Sequence, residues 1–283
     1  MGGPTIHGRI KGGFMKKLLM IITGLITLWA VSATAEDTIY QKHTFEITPE
    51  ISHREYDEPD SNINVHEKGT MFGLAGSYAY HSDFMLKIEG TALWGNMDYN
   101  SPSGTINGIP DAMYEIRGLA GYDIPVQSSA ITPYIGFGYR YLSDDSSGKT
   151  TDLGANGYLR EISYQYIPLG VTGVTKLGND WAVDGNIEYD IFLRGNVKSH
   201  LSDADPTVPN VTNSQSSGYG VRGSIDISKK YGQFTYMAGL FDRYWNVDQS
   251  DTDLFSVPGV GIVGVYEPKN NSNEVGLNLG VRF

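Results

Sequence analysis

The sequence contains no cysteine, which excludes disulfide bonds and thiolate chemistry, so an exported chain of this kind must be held together by its architecture. After residue 35 it also lacks any apolar run near the ~20 residues that a transmembrane helix requires. Its six histidines show no spacing typical of a metal site. We therefore predict neither a metal nor any other cofactor.

Basic residues are scarce: 21 Lys and Arg stand against 32 Asp and Glu, which gives a net charge of −11. Residues 1–35 hold four of the basic residues and no acid, so the rest of the chain carries −15. A chain this acidic repels phosphate groups, which excludes nucleic acid as a partner.

The N-terminal part has the pattern of a signal peptide. From Met15 it reads "MKKLLMIITGLITLWAVSATA", in which two lysines precede an apolar run over 18–31 and a small-x-small motif at 33–35. We predict Sec-dependent export with cleavage after Ala35, and we treat residues 1–14 as an extension of this region. Residues 36–283 are then expected to form a single domain.

In the remaining chain, apolar and polar residues alternate with a period of two, which is the pattern of β-strands with one apolar face. Between 181 and 194, for example, Trp181, Val183 and Ile187 alternate with Asp184 and Glu188. Ten segments show the pattern, near 43–54, 70–80, 84–95, 112–123, 132–142, 158–172, 181–194, 218–228, 233–246 and 274–283.

The connections between these segments alternate in length. Short links lie at 81–83, 124–131, 173–180 and 229–232, whereas long polar stretches lie at 55–69, 96–111, 143–157, 195–217 and 247–273. This order predicts an all-β fold, a closed antiparallel transmembrane β-barrel with short periplasmic turns and long extracellular loops. We expect about ten strands, with eight or twelve as alternatives.

Aromatic residues are expected to form two girdles at the membrane surfaces. The girdle near the long loops would contain Trp94, Tyr99, Tyr141 and Trp245, and the girdle near the short turns Tyr122, Tyr134, Trp181 and Tyr231.

The inward positions of the predicted strands carry charges of both signs. They are Glu46, Glu50, Lys87, Glu89, Glu115, Arg117, Arg140, Asp184, Glu188, Asp190, Arg194, Arg222, Asp226 and Arg282. In a narrow lumen such charges should pair, because an unpaired buried charge is costly. We therefore predict a lumen plugged by ion pairs, with a narrow water-filled pore as the alternative.

The last predicted strand points five apolar side chains outward: Val275, Leu277, Leu279, Val281 and Phe283. It resembles the terminal signal by which the barrel-assembly machinery of Gram-negative bacteria recognises its substrates.

The segments "TPYIGFGYRY" (132–141) and "YQYIPLGVTG" (164–173) resemble strands of the opacity-type, OmpA-like group of small outer-membrane barrels. The resemblance implies an outer-membrane location among lipid and lipopolysaccharide. That group typically has eight strands, whereas omptin-type proteases have ten.

An omptin-like protease would need paired aspartates and a His–Asp couple at the extracellular rim. The candidates are His53, Asp57, Asp60, His66, His200, Asp203, Asp205, Asp251 and Asp253. Both Asp-x-Asp pairs fall inside loops and no Asp-x-His occurs, so we predict no catalytic residues. The acidic loops could instead bind a surface or host ligand. The sequence thus favours a structural or surface-interaction role, with a small-solute channel and an omptin-like surface protease as alternatives.

Overall fold

The structure is a computed structural model that describes residues 39–59, 64–257 and 261–283. The predicted signal peptide lies outside the described residues. The described part contains a short 3₁₀ turn, Leu201–Asp203, and fourteen strands. They are β1 (His43–Glu58), β2 (Val65–His81), β3 (Phe84–Ser101), β4 (Gly104–Tyr122), β5 (Ile124–Val126), β6 (Ser129–Asp145), β7 (Leu159–Gly178), β8 (Trp181–Ser199), β9 (Val211–Gln215), β10 (Gly218–Tyr231), β11 (Phe234–Val247), β12 (Thr252–Val257), β13 (Gly261–Tyr266) and β14 (Asn270–Arg282). No helix in the described ranges is long and apolar enough to cross a bilayer.

Ten of these strands form a closed antiparallel ring: β1–β4, β6–β8, β10, β11 and β14. The strand β10 pairs with β8 on one side and with β11 on the other, and β14 pairs with both β11 and β1. Every ring strand therefore has two neighbours, and no sheet edge remains to be satisfied in lipid. The predicted closed all-β barrel of about ten strands is confirmed.

The ring strands are longer than the sequence pattern indicated, with 13 residues in β14 and 20 in β7. The stretch 96–111, predicted as a loop, is almost entirely strand, because β3 ends at Ser101 and β4 begins at Gly104. The stretch 55–69 is likewise shortened, since β1 runs to Glu58 and β2 begins at Val65. The wall of the barrel thus continues above the segment that faces lipid.

The outer surface carries a belt of exposed apolar side chains, as a lipid-facing wall requires. At the upper margin of the belt, Trp94, Tyr114 and Tyr141 follow one another on adjacent strands, with ring centroids 5.9 Å and 6.4 Å apart. The lower margin carries exposed Tyr122, Trp181 and Tyr231.

Three aromatic residues that we assigned to the girdles lie elsewhere, and one of them, Tyr99, is on the inward phase of β3 opposite the buried Glu67. The side chains of Tyr134 and Trp245 are buried inside the barrel. Both occupy the inward phase of their strands, as Thr132 does in β6 and Arg243 in β11. Closeness to a strand end therefore did not decide their orientation; the two-residue alternation did.

A β-bulge in β8 corrects a further prediction. Gln165 of β7 pairs with Arg194 and Tyr166 pairs with Phe192, so Leu193 has no partner in the register. An extra residue of this kind shifts the phase of all residues that follow it. Leu193 and Arg194 consequently both lie exposed on the outer surface, and Arg194 is not a lumen residue as predicted.

The remaining strands extend the extracellular end. The short strand β9 adds to the upper part of β8, and β12 and β13 form a hairpin that pairs only with itself. Both strands of this hairpin lie within the longest predicted loop, 247–273.

Candidate functional site

The interior of the barrel is layered, beginning with a polar cavity of about 220 Å³ in its periplasmic half. Arg282, near the end of β14, lies 3.1 Å from Glu46 and 3.3 Å from Asp184 across this space. Asp226 faces Asp184 in the register of β10 and β8, and both carboxylates line the same cavity. Two carboxylates therefore contact the Arg282 guanidinium in this layer, and the carboxylate of Asp226 lines the same cavity.

Above the cavity, Glu188 connects three strands. Its carboxylate contacts Arg117 and Arg222, the latter at 3.2 Å, and accepts a hydrogen bond of 2.6 Å from the Tyr134 hydroxyl. Arg117 also donates from Nε to Glu89 at 2.8 Å. Because each arginine bridges two acids, removing one acid leaves the arginine with a remaining partner.

Arg222 is the second centre of this ion-pair layer. Its guanidinium donates to both carboxylate oxygens of Glu115, at 2.6 and 2.7 Å, and to Asp190 at 2.7 Å. The Tyr166 hydroxyl donates to Glu115 at 2.8 Å. Such a bidentate arrangement fixes both the position and the orientation of the planar guanidinium.

A third arginine, Arg243 of β11, contacts acids on both β1 and β14. It contacts Glu50 at 2.9 Å and Glu274 at 3.0 Å, and Glu274 also accepts from the Ser52 hydroxyl at 3.0 Å. These contacts join β11 and β14 to β1 from the inside, on the same strands whose backbones close the ring.

A layer of apolar and aromatic side chains fills the barrel above these ion pairs. Trp245, with 1% exposure, packs against Tyr164 and Tyr166 at centroid distances of 5.5 and 5.0 Å. The guanidinium carbons of Arg140 and Arg222 lie 5.9 and 5.7 Å from its ring. The rest of the layer consists of Met71, Leu93, Met97, Met113, Leu142, Ile162, Phe192, Val197 and Val247.

The extracellular end of the interior is again charged. It lies above the upper margin of the belt, which Trp94, Tyr114 and Tyr141 mark. Arg160 lies 3.5 Å from Glu58 and 3.8 Å from Asp144, and its closest contact is with Glu267. Tyr56 donates from its hydroxyl to Glu58 at 2.9 Å and lies 3.1 Å from Glu267. The segment after β13 is thereby attached to β1 and β7.

A second charged group at the extracellular end is centred on Arg54, which lies 2.8 Å from Asp111. Asp111 faces Asp144 in the register of β4 and β6. Burial raises the pKa of Asp111 to about 7, against the opposing effect of Arg54, and Asp144 raises it further. Burial also raises the pKa of Glu67 well above its usual value, again with a contribution from Asp144. Acids outnumber arginines here, which together with burial is why the pKa values of Asp111 and Glu67 lie above their ordinary range.

Of the predicted lumen charges, all but Arg194 lie inside the barrel, and most belong to the ion pairs described above. Lys87 contacts Glu89 at 2.7 Å, and Arg140 reaches Glu274 at 3.8 Å. Sequence reasoning missed nine further inward charges. It assigned Glu58, Glu67, Asp111, Asp144 and Glu267 to loops. It did not recognise the inward orientation of Arg54, Arg160, Arg243 and Glu274, although these four lie inside predicted strands. Extending the two-residue alternation upward from Glu50 would have found Arg54 and Glu58.

The candidate protease residues do not converge inside the barrel. His66 lies 2.7 Å from Asp57, but this couple is on the outer surface of β1 and β2. His53 is exposed beside Glu55, and His200 contacts Glu161 at 2.7 Å. Asp203, Asp205 and Asp251 accept hydrogen bonds from nearby backbone amides. Asp60 lies outside the described residues, and Asp253 is on the protruding hairpin.

Among the side chains that the structure describes, no group of three or more His, Cys, Asp or Glu residues has the geometry to hold a metal ion. The terminal residues Val275, Leu277, Leu279 and Phe283 are exposed on the lipid-facing wall, and Val281 lies between them on the same face.

A ring without edges, an apolar outer belt between aromatic margins and a charged interior together define the class of protein. The chain is an outer-membrane β-barrel. No protein-family profile matches its sequence, and no curated protein does.

Comparison with solved structures agrees with this fold. The outer membrane protease OmpT from Escherichia coli is similar with a TM-score of 0.56 and 10% identity, over 88% of this chain and 98% of that one. The translocator domain of the autotransporter NalP from Neisseria meningitidis has a TM-score of 0.37 and 9% identity, over 96% of each chain. The toluene transporter TodX from Pseudomonas putida has a TM-score of 0.35 and 9% identity, over 88% of this chain and 90% of that one. We base the agreement in fold on the first likeness alone.

Proposed function

We propose that this outer-membrane barrel has a structural or surface-interaction role and that its lumen is closed to solutes. The observation that supports the proposal is the burial of inward side chains across the whole upper interior. Among the largest fully buried side chains are Trp245, Arg140, Tyr166, Met71, Leu93, Met97, Met113, Glu188 and Glu274. Side chains that lined a water-filled pore would be exposed to that water.

Barrel size supports the same conclusion. Eight strands enclose only enough space for their own side chains, and two more strands add little room. The cavity near the periplasmic end lies below the layer of Arg117 and Arg222, and the aromatic layer with Trp245 covers that layer. A solute entering from the periplasm would thus meet two successive packed layers.

The extracellular surface is where we place the interaction role. Leu254 and Ile262, on the hairpin of β12 and β13, are 71% and 79% exposed although both are large and apolar. A rigid barrel that holds such a hairpin away from the membrane is a suitable scaffold for binding, because loops on rigid supports commonly carry function. We assign the surface or host ligand to this end of the molecule.

Planar-bilayer conductance of the refolded full-length protein tests the closed lumen. We expect no steady channels, and protein purified natively serves as the control for refolding. A double variant, Arg140→Ala with Trp245→Ala, removes two of the largest fully buried side chains and should increase conductance if the assay can detect an opened lumen. Steady ion-selective channels of the unaltered protein would instead establish the pore.

The proposed role is non-catalytic, and a protease assay tests this separately. The candidate His66–Asp57 couple is on the outer wall, away from the interior acids Asp111 and Asp144. We expect refolded protein in lipopolysaccharide to leave an unstructured protein substrate intact. Cleavage that disappears in Asp57→Asn, and not in Asp98→Asn on β3, would show an enzyme.

A further inference from the structure

The bulge in β8 turns an arginine to the outer surface at the margin of the lipid-facing belt. Below it, the outward side chains of β8 are apolar, ending with Ile191 and Leu193, which are 41% and 43% exposed. Arg194 is the first charged residue that follows them on this surface, and Asn196 and Lys198 continue the same face upward. A cation therefore stands directly at the boundary between apolar and polar surroundings.

Within the described residues, the Arg194 side chain makes no ion pair and no hydrogen bond. Its in-register neighbour on β7 is the neutral Gln165. Lys68 provides the contrast on the opposite part of the wall: it also points outward above the belt, but its cross-strand neighbours are Glu55 and Asp98. The guanidinium of Arg194 thus has its donors available, whereas the charge of Lys68 is surrounded by acids.

Lys198 adds a second positive charge on the same face of β8. Its ammonium lies 3.3 Å from Glu161 and its side chain is 48% exposed. Glu161 also accepts from the Tyr141 hydroxyl at 2.7 Å and contacts His200 at 2.7 Å, so it is already shared among several donors. Because the one acid beside Lys198 is shared among several donors and Arg194 has no acidic partner among the described residues, the patch of Arg194 and Lys198 is positive on a chain that is otherwise strongly acidic.

We propose that Arg194 and Lys198 bind a phosphate group of lipopolysaccharide in the outer leaflet. The long connections and the protruding hairpin place this end of the barrel outside, where lipopolysaccharide is the phosphorylated lipid. Its acyl chains would lie against Ile191 and Leu193, and its phosphate would reach the guanidinium, whose planar fork binds phosphate in bidentate fashion. Gln165 and Asn196 would donate to the neighbouring sugar oxygens. The proposal extends the proposed envelope role and relies on it only for the orientation of the barrel.

The bulge also serves packing, since it turns Val197 into the apolar interior while it turns Arg194 outward. The two effects can be separated by substitution, because replacing Arg194 leaves the bulge and Val197 in place. We therefore test the cation and not the bulge.

The experiment is a titration of detergent-refolded full-length protein with purified lipopolysaccharide and, in parallel, with lipopolysaccharide from which the phosphates have been removed. We expect the unaltered protein to bind the phosphorylated form at least tenfold more tightly. The double variant Arg194→Gln with Lys198→Gln should bind both forms equally weakly, whereas the matched control Lys68→Gln should behave as the parent. Inorganic phosphate at the same concentration should not compete, because it lacks the acyl chains.

Equal affinity of the parent for the two lipopolysaccharide forms would overturn the proposal, and this arm requires no variant to fold. Unchanged binding in the double variant, with its heat-dependent mobility intact, would overturn it as well. Competition by inorganic phosphate at the same concentration would show a simple anion site and would also contradict it. None of these results bears on conductance, so this inference and the closed lumen can fail independently.

Discussion

Phe283 and Phe45 exchange both of their backbone hydrogen bonds, at N–O distances of 2.8 and 2.9 Å, and their rings stack with centroids 5.8 Å apart. The last residue of the chain is thus paired with the first ring strand at the lower margin of the belt. Phe234 of β11 lies on the other side of the same ring, at 6.5 Å.

Deleting Phe283 should sharply reduce the yield of assembled barrel in the outer membrane. One aromatic contributes about 1.5–3 kcal/mol of burial, which a closed barrel could survive, but a missed recognition by the assembly machinery would prevent closure from starting. Phe283→Tyr should be nearly silent, because it keeps a ring beside Phe45. Cell fractionation with heat-dependent gel mobility measures the result, and normal insertion of the deletion variant would refute residues 275–283 as the signal.

Two adjacent residues of β8 should respond differently to substitution. Ile187 is 60% exposed on the lipid face, so Ile187→Arg should cost ~2–4 kcal/mol near the midplane and block insertion. Glu188 is 1% exposed inside the barrel, and Glu188→Gln should still insert but lose roughly 1–3 kcal/mol, because Arg117 and Arg222 keep their other acids. Urea unfolding in lipid vesicles compares the two, and equal tolerance would show that the phase of β8 is wrong.

Gly138→Ala should destabilise the barrel from inside. A Cβ at Gly138 would lie 2.1 Å from the Tyr166 ring, whose hydroxyl is held by Glu115 and Arg222 and cannot easily move. Overpacking of this kind costs about 1–3 kcal/mol. Gly118→Ala is the matched control, because nothing lies within 4 Å of its added Cβ. A urea midpoint for Gly138→Ala that equals the control's would show that Tyr166 is free to relocate.

The stability of the barrel should fall as the pH rises from about 4 to about 7. The folded pKa of Asp111 is about 7, above the ordinary value of 3.8, so its contribution is fully present below pH 4 and is lost as the pH passes 7. We expect a loss on the order of 1 kcal/mol per pH unit between these values. Asp111→Asn should flatten the profile of urea midpoints, and an identical profile in the variant would contradict the assignment.

The sequence was sufficient to predict the barrel and most of the charges in its lumen, because an alternation with a period of two shows directly which face of a strand a residue occupies. It failed where a local irregularity changed that phase: nothing in "IFLRGNV" marks Leu193 as the extra residue that turns Arg194 outward. It also failed where strands continued beyond the lipid, since Glu67 and Asp111 lie in polar stretches that are typical of loops. The pairings themselves, such as Arg117 with Glu188, depend on which strands face each other across the ring and cannot be read from alternation.

The ion pairs of the interior have a consequence for the order of assembly. Arg54 and Asp111 lie on β1 and β4, Arg117 and Glu188 on β4 and β8, and Arg282 contacts Asp184 from the opposite end of the chain. In an open sheet these partners would be far apart and hydrated. A growing barrel therefore has one apolar face and one hydrated, charged face until its first and last strands pair. Ring closure is then the step at which the water leaves. Loss of one charge should therefore slow this late step and leave the pairing of the first strands unchanged.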